Sequence, residues 1–197
     1  MTPVDLTNID DRDLVTLALK GRETAYRELL SRYERPVFSL VFRMVRDRSL
    51  AEDLAQETFI RAFHALKSFN PSYRFSSWLF KIANNLTIDH LRKRTLETVS
   101  LDGAPGAVSQ EEVDRTRIAV ADGGEDPLSY VENRELGGQI EEAIGRLRPE
   151  YRTAVLLRHV EGYSYEEIAG IMDVPLGTVK TFLHRARHEL KGYLGDA

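Results

Sequence analysis

The segment YSYEEIAGIMDVPLGTVKTFLHRARHEL, residues 163–190, constrains the fold more than any other part of the chain. Ser164 and Glu167 form an S-x-x-E capping box, which starts a helix by satisfying two backbone donors reciprocally. Asp173-Val174-Pro175 breaks that helix, because proline lacks the N–H that would continue it. A second helix then runs from about Pro175 to Leu194. Ile168, Ala169, Met172, Val174, Val179, Leu183 and Ala186 recur at the spacing that holds two short helices together across a tight turn. The pattern predicts a helix-turn-helix. The outward face of its second helix carries Thr178, Lys180, Thr181, His184, Arg185 and Arg187. A helix of this kind fits a DNA major groove about 12 Å wide. Arg185 is the candidate for a bidentate guanine contact. Lys180 and Arg187 suit phosphates, and Thr178 or Thr181 suits either role.

The rest of the chain must accommodate this motif. The 197 residues allow one large domain or two small ones, and 42% hydrophobic with 29% charged residues is the balance of a globular protein. No apolar run approaches the ~18 residues that span a bilayer. The acidic N-terminus lacks the apolar centre of a secretory signal. No cysteine is present, so disulfides and thiolate metal sites are excluded, and a cytoplasmic location is expected. The net charge of −4 is unexpected for a DNA-binding chain, but the charges are unevenly placed. Residues 1–100 carry 16 Lys/Arg against 13 Asp/Glu, residues 101–135 carry 3 against 9, and residues 136–197 carry 8 against 9. The acidity is therefore concentrated in the middle, and a cationic face is compatible with either end.

That middle section, SLDGAPGAVSQEEVDRTRIAVADGGEDP, has Gly/Pro clusters among acids and little helical periodicity, so it reads as a linker. A solvated tether of ~35 residues has a root-mean-square span of about 30–35 Å, long enough for two modules to grip separate sites on one large partner. Before it, helices follow one another without a strand-period segment. Asp10 and Asp13 start the first, and Gly21 stops it. Ala25, Tyr26, Leu29, Leu30, Tyr33, Val37, Phe38, Val41 and Val45 stripe the second, with a kink expected at Pro36. Ser49 and Glu52 read as the capping box of the third. Trp78, Leu79, Ile82, Leu86 and Leu91 are the expected buried set of a fourth, which Arg92, Lys93 and Arg94 end. The predicted architecture is all-α: a helical domain at 10–96, a flexible acidic linker at 97–130, and a helix-turn-helix domain at 131–195.

The stretch LRPEYRTAVLLRHVEGYSYEEIAGIMDVPLGTVKTFLHRARHEL resembles region 4 of a group IV, extracytoplasmic-function sigma factor. AEDLAQETFIRAF resembles region 2.2 of the same family, and FSSWLFKIANNLTIDHLRKR resembles regions 2.3 and 2.4. The resemblance implies a dissociable RNA polymerase subunit with no catalytic residue, cofactor or metal of its own. It implies docking on the clamp helices of the largest polymerase subunit through Asp53, Leu54, Gln56, Glu57 and Arg61, and a further contact of region 4 with the flap. It implies reading of the −10 element through Phe69, Asn70, Tyr73, Arg74, Phe75 and Asn85, with Arg92, Lys93 and Arg94 on phosphates. Base capture from opened DNA calls for aromatic and Arg surfaces of this type. The −35 element falls to Thr178, Lys180, Thr181, His184, Arg185 and Arg187. An anti-sigma protein is the expected regulator, in a stress or envelope response. The acidic linker is expected to pass near the polymerase cleft.

Two other readings fit a helix-turn-helix: an autonomous regulator with a sensing or dimerising N-terminal domain, and a decoy that binds polymerase or an anti-sigma without reading DNA. The DLAQETF stretch weighs against the first. The five histidines are scattered, and no pair completes a metal motif. One pair of substitutions separates the two expected roles. Arg185→Ala should weaken −35 recognition by about 1–3 kcal/mol at one base pair and leave polymerase affinity intact. Asp53→Ala combined with Glu57→Ala should do the reverse. Binding of each variant to core polymerase and to −35 duplexes checks both.

Overall fold

The computed structural model describes residues 6–100 and 127–195, with the side chains of 95–100 and 127–135 excepted. Of the linker expected at 97–130, residues 101–126 lie outside the described residues, whereas its ends, 97–100 and 127–130, are helical. Eight α-helices and no strand are found among the described residues: α1 (Asp11–Leu19), α2 (Glu23–Val45), α3 (Arg48–His64), α4 (Phe75–Ser100), α5 (Pro127–Arg146), α6 (Pro149–His159), α7 (Tyr165–Met172) and α8 (Leu176–Gly195). A 3-10 turn, Leu66–Ser68, precedes the loop into α4. None of these helices is long and apolar enough to cross a membrane.

Local chemistry accounts for most boundaries. The Asp10 carboxylate accepts from Arg12 N–H at 2.8 Å and caps α1, and Gly21 leaves the helix at φ 82°, a conformation glycine adopts without steric cost. The expected capping box at Ser49 and Glu52 is absent. Asp47 caps α3 instead, accepting from Leu50 N–H at 3.0 Å, and Glu52 pairs with Arg48 at 2.9 Å. Asp47 is a good cap acceptor two residues earlier, so the helix begins before Ser49 can serve. The capping box at α7 is present: Glu167 N–H donates to Ser164 Oγ at 3.2 Å, and Ser164 N–H donates to Glu167 Oε2 at 2.9 Å. Asp173 ends α7 at φ 57°, a left-handed conformation that Asp tolerates better than most residues. Pro149 occupies the first turn of α6, where its missing N–H costs nothing.

Two cores result. Helices α1–α4 enclose the first, around Leu14, Leu29, Val37, Val41, Phe59, Phe75 and Leu79. The Arg32 guanidinium ties the N-terminal segment to it, donating to Ile9 O at 2.7 Å, Leu6 O at 2.9 Å and Asp11 at 2.8 Å. The second core draws on both halves of the chain. Leu40 and Met44 of α2 and Phe80 and Ile88 of α4 pack with Leu147, Tyr151, Leu156, Tyr163, Ile168, Val179 and Leu183. Helices α2 and α4 therefore bury two faces each. A single-stripe reading of α2 overlooks Leu40 and Met44 because the core they join is completed by residues 144–186, and it includes Leu30, which is exposed.

Where the halves meet, Arg152 is largely buried. Its guanidinium donates to Met44 O at the end of α2, to Gly145 O, to Leu147 O at 2.9 Å and to Ile144 O at 3.2 Å. Terminal helix carbonyls carry partial negative charge and lack intrahelical donors, so a cation that supplies several N–H groups fits there. Burial pushes the Arg152 pKa down to about 10, with repulsion from Arg46 adding to it. Arg46 itself reaches the Glu141 carbonyl at 3.4 Å, and Arg43 pairs with Glu141 at 3.1 Å. Arg152→Ala should lower unfolding stability by about 2–3 kcal/mol, the cost of several buried carbonyls losing their donor. Urea titration read by far-ultraviolet circular dichroism measures it.

Candidate polymerase and promoter interface

Helix α3 divides the docking residues between core and surface. Asp53, Gln56 and Arg61 are exposed, and Glu57 is half-buried and pairs with Arg61 at 2.7 Å. Leu54, expected to act as an apolar anchor there, faces the core at 9% exposure. The apolar side chain standing on the exposed face is Ile60, at 52% exposure. It lies one helical turn beyond Gln56 and Glu57, on the same side. The sequence held that signal as an isoleucine out of phase with Ala55, Phe59 and Ala62, which are buried.

The loop before α4 is built by its own side chains. Asn70 Oδ1 accepts from Ser72 N–H at 2.9 Å, and Asn70 O accepts from Tyr73 N–H at 3.1 Å, so Asn70 shapes the turn. Tyr73 stands out at 66% exposure. Phe69 and Phe75 are buried and pack with Trp78 at centroid distances of 5.5–5.7 Å. Their rings support the loop and are not presented to solvent in this arrangement. Asn85 is exposed on α4, as are Arg92, Lys93 and Arg94. These cations do not end the helix, because α4 continues to Ser100. Attraction to a helix C-terminus, which falls off within one turn, therefore does not explain their placement.

Helix α7 lies across this loop. Arg74 pairs with Glu167 at 3.1 Å, and Lys81 pairs with Asp173 at 3.0 Å. The Arg74 guanidinium also stands 5.8 Å from the centre of the Tyr163 ring, and Phe80 meets that ring edge-on at 5.7 Å. Burial raises the Tyr163 hydroxyl to about 12. A groove of about 660 Å³ remains between the loop and α7. Phe69, Tyr73, Arg74, Trp78 and Lys81 form one wall, and Glu167, Gly170 and Asp173 the other. Ser77 Oγ, which also lines the groove, is buried without a partner. Lys81 is a cation of this surface that the motif-based reading passed over; its signal was its position one turn before Asn85.

On α8, Val179, Leu183 and Ala186 are buried. At about 100° per residue, Thr181 and His188 point directly away from that seam. Lys180, His184 and Arg187 occupy one flank, and Thr178 and Arg185 the other. All are exposed except half-buried Thr178. Thr181 Oγ1 donates to Gly177 O at 2.9 Å, and Arg187 Nε donates to Leu183 O at 3.3 Å. Arg185 Nη1 donates to the Tyr151 hydroxyl at 3.2 Å. The six side chains thus span one half of α8, and Arg185 among them bonds a core residue, Tyr151. No group of three or more metal-ligating side chains occurs among the described residues.

An exposed acidic and apolar helix face, an aromatic and cationic loop, and a helix-turn-helix with a polar outer half follow one another in this chain. The family profile described as Sigma-70 region 2 matches residues 29–97, and that described as Sigma-70, region 4 matches residues 137–190. The chain is 36% identical over 180 residues to the ECF RNA polymerase sigma factor SigW of Bacillus subtilis, covering 90% of this chain and 92% of that one. It is 34% identical over 186 residues to the ECF RNA polymerase sigma-E factor of Escherichia coli, covering 92% and 93%. Its fold matches the sigma factor RpoE of Bartonella quintana, solved with the anti-sigma factor NepR, at TM-score 0.66 and 26% identity over 86% of this chain and 96% of that one. A second fold match, to CnrH in complex with the cytosolic domain of CnrY, has TM-score 0.64 at 22% identity, covering 94% and 97%. The chain belongs to the extracytoplasmic-function (ECF) RNA polymerase sigma factors.

The ion pair at the groove makes the arrangement sensitive to acid. Burial of Glu167 works against ionisation, but bonds from Ser164 and Arg74 outweigh it and hold the carboxyl below its usual range. Its stabilising contribution is therefore complete above the unfolded value of about 4.3 and is lost as pH falls through the lower folded value. Glu167→Gln should flatten this acid limb of the stability curve, as measured by urea unfolding between about pH 6 and pH 3.

Proposed function

We propose that this protein is a dissociable, non-catalytic specificity subunit that directs RNA polymerase to promoters with spaced −10 and −35 elements. In this reading it works in the cytoplasm, in a stress or envelope response. The observation that carries the reading is the presence in one chain, and in this order, of a region 2 surface and a region 4 helix-turn-helix. The exposed face of α3 meets the clamp helices of the largest polymerase subunit, with Asp53, Gln56, Glu57 and Arg61 as its polar contacts and Ile60 as its apolar one. Region 4 contacts the flap. Tyr73, Arg74, Lys81 and Asn85 face the −10 element, and Arg92, Lys93 and Arg94 hold phosphates. The outer half of α8 enters the major groove of the −35 element. No small-molecule substrate is required.

The described arrangement also bears on regulation. Arg74 and Lys81, cations suited to phosphates, are held by carboxylates of region 4. Reading the −10 element in this proposal requires α7 to leave the loop. An anti-sigma protein that binds the closed form would keep both surfaces covered; the Bartonella quintana relative was solved with such a protein.

Transcription in vitro with cognate core polymerase on a genomic promoter library tests the reading. New start sites sharing two spaced upstream motifs are expected when the protein is added. Specific DNA binding by the protein alone, without new transcripts, would replace it with the autonomous regulator. Phe80→Asp places a charge in the shared core and should enlarge the radius of gyration of the free protein in small-angle X-ray scattering while raising affinity for core polymerase.

A further inference from the structure

Arg185 is fully exposed, yet its guanidinium is tied to the interior. The group it touches belongs to Tyr151, in the first turn of α6, a residue no DNA-reading motif singles out. Tyr151 is 7% exposed. Its ring packs at 5.5 Å from that of Phe182, three residues before Arg185 on α8. Phe182 and Arg185 lie on one flank of the helix, so ring and hydroxyl engage neighbouring points of the same side. A tyrosine placed this way has an apolar body locked in the core and a hydroxyl fixed at its edge. The hydroxyl is therefore a rigid acceptor for a side chain that is otherwise free in solvent.

The choice of nitrogen matters. Arg185 bonds through Nη1. A guanidinium carries five donors, so this tether leaves Nε and Nη2, the side-on fork, for two parallel bonds. That is the pairing guanine O6 and N7 accept in the major groove. The neighbouring anion on α8 is Glu189, one turn further on, which also favours the charged guanidinium. With the hydroxyl removed, no neutral acceptor holds the guanidinium, and Glu189 is the remaining group on α8 that acts on it.

We infer that Tyr151 is a positioning residue for promoter readout: its hydroxyl holds Arg185 where the free edge of the guanidinium meets a guanine of the −35 element. The inference rests on Arg185 being a base reader. Tyr151 touches no DNA in it and acts only through Arg185. The long arginine side chain is ordered before binding, so less rotamer freedom is lost when the base contact forms.

The experiment uses the full chain in holoenzyme with cognate core polymerase, on promoters carrying every single base-pair change in the −35 element. Tyr151→Phe removes one oxygen and keeps the ring. It should leave the unfolding midpoint and core affinity unchanged and lower discrimination at one base pair by about three- to tenfold, the scale of one hydrogen bond. Arg185→Ala should lower discrimination at the same base pair by more. The double variant should match Arg185→Ala alone, because the hydroxyl has nothing left to position. Arg185 Nε relaxation in the free protein gives a second reading: Tyr151→Phe should increase its motion. If Arg185→Ala changes discrimination and Tyr151→Phe does not, or if the two effects add, positioning by Tyr151 is overturned. If Arg185→Ala changes no base preference, the assignment of Arg185 as a base reader fails first.

Discussion

Burial of two opposite faces of α4 is the constraint on which the rest of the structure depends. One face, through Phe75, Leu79 and Ala83, completes the core of the first domain. The other, through Phe80 and Ile88, belongs to a second core shared with α2 and the second domain. Fully burying an apolar side chain of this size is worth about 1.5–3 kcal/mol, so a bare second face would carry a substantial cost in water. Covering it brings the helix-turn-helix of region 4 onto the loop of region 2. The polar contacts at the seam, Arg74 with Glu167 and Lys81 with Asp173, are exposed pairs that contribute little by themselves. Their role is to fix register; the apolar surface supplies the attraction.

The same economy appears at the ends of helices. Arg152 serves the terminal carbonyls of α2 and α5 together, and Arg46 and Arg43 reach α5 beside it. One end of α2 is thereby held to the second domain by cations whose partners are mostly backbone. Carbonyls at helix ends exist in any helical pair, so this joint does not depend on matched side-chain charges. It leaves carboxylates of α3 and cations of α4 and α8 on the outside.

The loop before α4 is covered by α7, the acidic first helix of the helix-turn-helix, through Arg74 and Lys81. Glu167 is both a member of the α7 capping box, with Ser164, and the partner of Arg74. Helix integrity and closure therefore share one carboxylate, and a change in either is felt by the other. In the same domain, Tyr151 joins the core to the outer face of α8 in a comparable way, with its ring inside and its hydroxyl on Arg185.

The sequence by itself determined the all-helical class, the two domains, the α7 capping box, and the helix-turn-helix. Each of these is set within a few residues: by periodicity, by a cap, or by a proline and an αL aspartate at a turn. The polar face of α8 was legible for the same reason, since a helix that buries Val179, Leu183 and Ala186 must turn Thr181 and His184 outward. What depended on distant packing was not legible. Asp47 rather than Ser49 caps α3, a competition between neighbours that a motif does not decide. Leu54 faces inward and Ile60 outward, because the core around α3 is supplied by α2 and α4. Leu40, Met44, Phe80 and Ile88 join a core completed by residues of the second domain, and the hydroxyl of Tyr151 meets Arg185 across 34 positions of sequence. Local hydrogen bonds and side-chain period are written along the chain. Which face is covered, and by what, is settled only when segments far apart in sequence exclude water together.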